Sequence, residues 1–355
     1  MNQVQLPPNP RVLVVVLRRL GDVLLATPLI RSIKRAFPRA TIEALVFAGT
    51  EGILSGNPDL VGVVAIPQHP SARENLALLL RLTQRYDLAL STQAGDRPTT
   101  LARIAGRKSA GPIEGIGIGA AVKRAALSFS YATDRNRHRV LDVLRLAELL
   151  GIPAQSEIVC PSGTLPPGIV PLQPFAVVHA SPMYTYKRWT MEGWRGLAAT
   201  LRERGLATLV SGGEGDRQYL DAILGGSDVA RLDGKLGWPQ LTAALAAARV
   251  YIGPDTAVTH LAAATGTPTV ALYGPTDPRV WGPWPRGGLD RPWAAAGTIQ
   301  LRGNVWLVQN PLPCLPCGQE GCQRRLDSYS QCLDELSTNQ VMVAVDQALT
   351  VRKAA

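Results

Sequence analysis

The sequence predicts an α/β protein built from two Rossmann-like halves that face a cleft. Three observations lead there. Short, near-continuous apolar runs such as Arg11–Leu17 and Phe175–His179 have the composition of parallel strands buried on both faces. Stretches with helical periodicity separate these runs, so β and α elements alternate along the chain. The alternation is interrupted at Pro161–Pro174, where five prolines and three glycine or serine residues carry no periodicity and read as a linker. At 355 residues the chain also exceeds one comfortable hydrophobic core. The expected domains are 1–165 and 166–337, followed by a terminal helix over 338–355.

In the first half, the strand Arg11–Leu17 leads into a turn with Gly21 and Asp22, and a helical pattern runs from Val23 to Phe37. Asp22 has the residue type of a helix N-cap. It also stands at the mouth of the first βα turn, where open α/β sheets bind ligands. Thr41–Val46, Val61–Ile66 and Tyr86–Ser91 read as further strands. Gln93-Ala94-Gly95-Asp96-Arg97 follows the last of them, again at a carboxyl end. Gly115, Gly117 and Gly119, with Ala120 after them, do not follow the first strand and make no dinucleotide fingerprint. The segment 111–119 reads as a mobile loop over an acceptor site. A basic run of Arg135, Arg137, His138 and Arg139 then enters a helix ending near Leu150-Gly151.

The second half restarts at Phe175. A helix is expected from about Met191, a strand at Leu206–Ser211, a polar turn at Gly212–Asp216 and another helix near Pro239. Its most informative stretch is 249–278, which reads as strand, tight turn, helix, strand, turn. Val250–Ile252 is stopped by Gly253-Pro254; Asp255 and Thr256 are N-cap types; Ala257–Ala264 is rich in small helix formers; Gly266 ends the helix; and Thr269–Tyr273 is the next strand. The helix N-terminus, with the backbone N–H groups of Thr256, Ala257 and Val258, is a ready phosphate site.

Composition narrows the classes. The chain is 46% hydrophobic and 18% charged, ordinary for a soluble α/β protein. No apolar run approaches a bilayer-crossing length, and the first residues lack the features of a signal peptide, so a cytoplasmic protein is expected. Net charge is +10, unevenly placed: residues 1–160 hold 20 Lys/Arg against 12 Asp/Glu, whereas 161–355 hold 17 against 15. A basic first half points to an anionic partner, either an anionic lipid surface or an acidic saccharide. Nucleic acid is not expected, since no recognised binding motif accompanies the charge.

Three motifs together carry a resemblance. Arg18-Arg19-Leu20-Gly21-Asp22-Val23-Leu24-Leu25-Ala26-Thr27-Pro28, then Lys187-Arg188-Trp189 with Trp194, then the 249–278 stretch, fall in one order and spacing. In these the chain resembles the family 9 glycosyltransferases, the bacterial heptosyltransferases of lipopolysaccharide core assembly. The resemblance implies the GT-B fold, with the acceptor in the N-terminal half, the nucleotide sugar in the C-terminal half and the last helix returning to the first half. It implies transfer of heptose from ADP-heptose, with inversion and without a metal, to a lipid-linked anionic saccharide (the lipopolysaccharide core). The enzyme would work peripherally at the anionic inner-membrane surface.

Carried over residue by residue, the resemblance makes Asp22 the general base and Lys187 the cation beside the diphosphate. Lys187→Ala is then expected to weaken diphosphate binding with little effect on folding. Gly21, Ser181, Asp216, Asp255, Thr256, Ala257, Val258 and His260 would bind the donor. Asp216 would take the ribose, with Glu214 as its competitor, and His260 could instead pack within the helix layer. Arg18, Asp96 and Arg97, with the basic run at 135–139, would meet the acceptor. The family often has glycine where this chain has Ala257. No Asp-x-Asp metal motif occurs, which fits a reaction needing no cofactor. Cys314, Cys317, Cys322 and Cys332 are a candidate structural zinc site, with reduced buried thiols as the other reading. Two rival functions stay open: a related GT-B transferase using another nucleotide sugar, and a sugar-nucleotide-binding protein without turnover.

Overall fold

Val12–Val16 is wholly apolar, and every one of its side chains is buried, which only a strand covered on both faces allows. In the computed structural model, which describes residues 3–351, this run is the strand β1 (Arg11–Val16). The chain forms two compact units, Met1–Val159 and Cys160–Ala355, each with its own sheet.

In the first unit β1 is followed by α1 (Leu20–Leu25), α2 (Thr27–Ala36), β2 (Thr41–Phe47), β3 (Gly62–Ile66), α3 (Ala72–Leu82), β4 (Tyr86–Ser91) and α4 (Asp96–Ala105). Then come β5 (Gly106–Ile113), α5 (Ile118–Ala126), β6 (Phe129–Ala132) and α6 (Arg139–Leu149). The sheet runs β3-β2-β1-β4-β5-β6 with parallel pairings throughout. Strand order reverses between β1 and β4, the switch point at which open α/β sheets take ligands.

The second unit contains β7 (Phe175–His179), α7 (Met191–Glu203), β8 (Ala207–Ser211), α8 (Arg217–Leu224), β9 (Ala230–Arg231), α9 (Trp238–Ala247) and β10 (Val250–Pro254). It continues with α10 (Ala257–Thr265), β11 (Thr269–Leu272), α11 (Pro278–Trp281), β12 (Ile299–Arg302), β13 (Val305–Val308), α12 (Gln331–Asp334) and α13 (Thr338–Thr350). Its sheet runs β12-β13-β11-β10-β7-β8-β9; only the β12–β13 edge pairing is antiparallel. Here the reversal lies between β7 and β10. Trp189, Trp194 and Leu336 anchor this core, and the Trp189 indole N–H donates to the Leu336 carbonyl at 2.7 Å.

Several expectations change. The single helix expected over 23–37 is two helices, because Pro28 lacks an N–H and starts α2 at its first turn. The Thr27 hydroxyl occupies the break, donating to Leu24 O at 2.7 Å and accepting from Val159 N at 3.0 Å. The expected loop over 111–119 is the end of β5, a glycine turn and the start of α5. The division falls at 159/160 and not at 165/166. The terminal helix expected over 338–355 to return to the first half is α13, and 352–355 lie outside the described residues. Helix α13 opens with a capping box from Ser337 and Gln340 and instead buries Val341, Ala344, Val345 and Ala348 in the second unit's core.

Candidate active site

The carboxyl ends of β7 and β10 flank the second unit's switch point, and most of the expected donor residues lie just beyond them. Thr256 is the N-cap of α10: its backbone is extended and its hydroxyl accepts from Thr259 N at 3.4 Å. Ala257 and Val258 occupy the first turn of α10, where N–H groups have no partner within the helix. The turn before them is tightly fixed. The Tyr251 hydroxyl donates to Thr259 Oγ1 at 2.8 Å, and that hydroxyl donates to the Pro254 carbonyl. A Cβ at position 253 would run into the Tyr251 hydroxyl, which is why glycine stands there.

Asp255 is not an N-cap. Its Oδ2 accepts from Lys187 Nζ at 2.5 Å and from the Thr276 hydroxyl at 2.8 Å, while the Tyr273 hydroxyl, 3.4 Å from Oδ1, gives its one proton to the Trp281 carbonyl at 2.7 Å. Burial alone would push this carboxyl up. The Lys187 and His260 charges, with hydrogen bonds from Lys187 and Thr276, outweigh it and hold Asp255 below the ordinary carboxylate range. Lys187 and Asp255, singled out separately in the sequence, are thus one ion pair linking two strand ends. An ammonium has three N–H donors, so the pair with Asp255 leaves Lys187 capacity for a ligand oxygen. His260 is buried, which favours the packing reading of the two left open for it.

Ser181 and Asp216 are also brought together. The Ser181 hydroxyl donates to Asp216 Oδ2 at 3.0 Å, and Gly213 N donates to the same oxygen at 2.7 Å. This joins the loop after β7 to the loop after β8. Beneath it is a residue not singled out in the sequence, His179, with Nδ1 3.2 Å from both Ser211 O and Ser211 Oγ. Burial pushes the His179 imidazole down to about 4, against the opposing pull of Asp216 and the Ser211 hydrogen bond. Its place as the last residue of a buried strand was its only sequence signal.

In the first unit Asp22 is not the N-cap of α1, a position Arg19 fills without a side-chain bond. Asp22 lies inside α1, next to Gly21, so Gly21 is set apart from the other expected donor residues, which belong to the second unit. The Asp22 side chain is buried, and its Oδ1 has no hydrogen-bond partner among the described residues. Two guanidinium Nε atoms stand 3.4 Å from that oxygen, from half-exposed Arg18 and from buried Arg139. Arg139 also pairs with Asp142 at 3.4 Å and donates to the Thr92 carbonyl at 2.9 Å, just beyond β4. Asp22 Oδ1 is enclosed beside the two guanidinium groups and shut off from solvent, so a bound hydroxyl would have to meet the carboxylate at its other oxygen.

The basic run is therefore not one surface. Arg139 is buried under Asp22, and exposed Arg135 is tied to Glu114 at 2.6 Å. Arg97 is also committed elsewhere: it donates to Gln68 O at 2.7 Å and Pro67 O at 3.1 Å and lies over the Phe47 ring. These contacts hold the 67–68 turn and use two of the five guanidinium N–H donors. Asp96 is exposed at the start of α4 and pairs with Lys123 at 2.5 Å.

The cysteines are free thiols. Cys332 is buried in the second unit's core, and burial, with Cys317, Cys322 and Cys314 nearby, pushes its thiol up to about 12. Among the described residues no group of three or more His, Cys, Asp or Glu is arranged to hold a metal ion. No described helix is long and apolar enough to cross a membrane.

Comparison with known proteins places these sites in a family. The profile of glycosyltransferase family 9 (heptosyltransferase) matches residues 76–287. Lipopolysaccharide heptosyltransferase 1 of Pseudomonas aeruginosa is 28% identical over 331 residues, covering 88% of this chain and 87% of that protein. Lipopolysaccharide heptosyltransferase 3 of Escherichia coli is 25% identical over 308 residues, covering 74% and 83%. Among solved structures, an E. coli heptosyltransferase with ADP superposes with a TM-score of 0.72 at 21% identity, over 95% of this chain and 99% of that one. The chain belongs to glycosyltransferase family 9, the heptosyltransferases, and is a glycosyltransferase with the GT-B fold.

Proposed function

We propose that the protein transfers heptose from ADP-heptose to a lipopolysaccharide core acceptor, with inversion and without a catalytic metal. The Asp22 carboxylate, in the first turn of α1 just beyond the central strand β1 and paired with Arg139, carries the chemical part of this reading. The names of the relatives and the ADP in the E. coli enzyme support the choice of donor and acceptor.

In this reading Asp22 takes the proton of an acceptor hydroxyl as its oxygen bonds to the anomeric carbon. The bond from that carbon to the diphosphate breaks, and ADP leaves with the electron pair. Attack from the face opposite the leaving group inverts the anomeric centre. Charge growing on the diphosphate meets Lys187 and the N-terminus of α10 at Thr256, Ala257 and Val258, which supply the electrostatic stabilisation without a metal. Asp216, held by Ser181, accepts hydrogen bonds from the ribose hydroxyls.

A thermal-shift series with ADP-heptose, ADP, and UDP- and GDP-sugars tests the donor assignment. ADP-heptose and ADP should raise Tm with dose, as selective binding to the folded state requires. A response confined to UDP- or GDP-sugars would select the rival transferase reading. The configuration of the product linkage tests inversion.

A further inference from the structure

Helix α5 carries an apolar surface with nothing folded over it. Of its nine residues only Ala120 is buried, against Ile113 and Leu127. Ile118 and Val122, one turn apart on the same side, are 86% and 61% exposed. Ile116, in the preceding turn, is 100% exposed. Gly115 and Gly117 flank it at φ +77° and +120°, which set Ile116 at the tip of the turn. Scattered exposed apolar residues are ordinary, but three large β-branched side chains on one turn and helix form a patch.

The charge around this patch has one sign. From Gly115 to Thr133 there is no Asp or Glu, and the only charged residues are Lys123 and Arg124. The carboxylate that adjoins the segment, Glu114, is neutralised by Arg135 at 2.6 Å. Arg124 is exposed, while Lys123 is held by Asp96 at 2.5 Å. Exposed isoleucine and valine beside exposed Arg124, in the half of the chain that carries most of the positive charge, match an anionic phospholipid surface.

We propose that the turn at 114–117 and helix α5 dock the protein on an anionic phospholipid bilayer, with Ile116, Ile118 and Val122 entering the headgroup–acyl boundary and Arg124 meeting lipid phosphate. This deepens the proposed function, because it rests on an acceptor that is lipid-linked and so already lies in a bilayer. The docking segment holds none of the residues assigned to proton transfer or donor binding. Membrane binding and donor binding are therefore separable.

The test is co-sedimentation of the full chain with phosphatidylglycerol/phosphatidylethanolamine vesicles and with phosphatidylcholine vesicles. Binding should favour the anionic vesicles and weaken with salt. The triple variant Ile116→Glu/Ile118→Glu/Val122→Glu should partition at least about tenfold less, while ADP raises its Tm as it does that of the wild type. Ile118→Trp supplies a second reading that leaves the patch apolar: its emission should shift to the blue on adding anionic vesicles. Equal partition of wild type and triple variant, no blue shift, or a wild type that ignores both vesicle types would overturn the proposal. So would a concentration-dependent dimer abolished by the triple variant, which would assign the patch to a second copy of the chain. Failure of vesicle binding with normal ADP release would spare the transferase reading, and the converse would spare the docking surface.

Discussion

Replacing Lys187 with methionine keeps the aliphatic stem and removes the ammonium. From the sequence alone this position should matter to diphosphate binding and little to folding. The ion pair with Asp255 changes that expectation. The Asp255 side chain is 9% exposed and Lys187 19%, with Nζ 2.5 Å from Oδ2. Removing one partner of a buried pair costs about 3–5 kcal/mol, because the other charge stays buried without compensation. Here the Thr276 hydroxyl still donates to Asp255, which keeps the expected loss at the low end, about 3 kcal/mol. Tryptophan fluorescence in a urea titration reads this well, since all seven tryptophans lie in the second unit. Lys187→Met/Asp255→Asn should recover most of the loss, because no unpaired charge remains. The pH dependence gives a second signature. Asp255 is held below its ordinary value, so its stabilisation is present at neutral pH and is lost as pH falls through the folded pKa. Without Lys187 that loss should begin at a higher pH. A single variant as stable as wild type, or a double variant weaker than the single, would refute the reasoning.

Asp22→Asn should remain folded by circular dichroism, bind ADP normally and turn over at least about a hundredfold more slowly; near-normal kcat would remove Asp22 as the base. Arg139→Met should leave Asp22 and Asp142 buried without their shared cation and lower the first unit's stability by about 3 kcal/mol, with partial recovery on adding Asp142→Asn; an unchanged unfolding midpoint would refute this. His179 is held neutral by burial, with its pKa down at about 4, so the unfolded chain binds the extra proton between about 6.5 and 4. Stability should fall by up to roughly 3 kcal/mol across that window, and His179→Gln should flatten the dependence; identical pH profiles would contradict it.

Much of this was readable because it is local. The run Val12–Val16 and the left-handed Gly266 each determine their structure within a few residues, and the 249–278 unit folds as strand, helix and strand, except that β10 runs on through Gly253 and Pro254, which the pattern read as its stop. Pro28 announced the break between α1 and α2, but the apolar periodicity across it read as one helix. What the sequence hid is pairing between distant segments. Lys187 and Asp255 meet because β7 and β10 are neighbours, and strand order is not written in either segment. Arg139 read as part of a solvated basic run because its partner Asp22 sits on another helix; only the i, i+3 relation to Asp142 hinted at burial. Nothing near Arg97 in the sequence shows that the carbonyls of Pro67 and Gln68 take two of its donors. Long cations find distant acceptors that no local pattern shows.

The most direct test is ADP release from ADP-heptose in the presence of heptose-deficient lipopolysaccharide, with UDP- and GDP-sugars as controls. ADP should appear only with ADP-heptose and acceptor together, with one heptose added per ADP released. Nucleotide release from a UDP- or GDP-sugar alone, or tight binding of ADP-heptose without any transfer, would contradict the assignment.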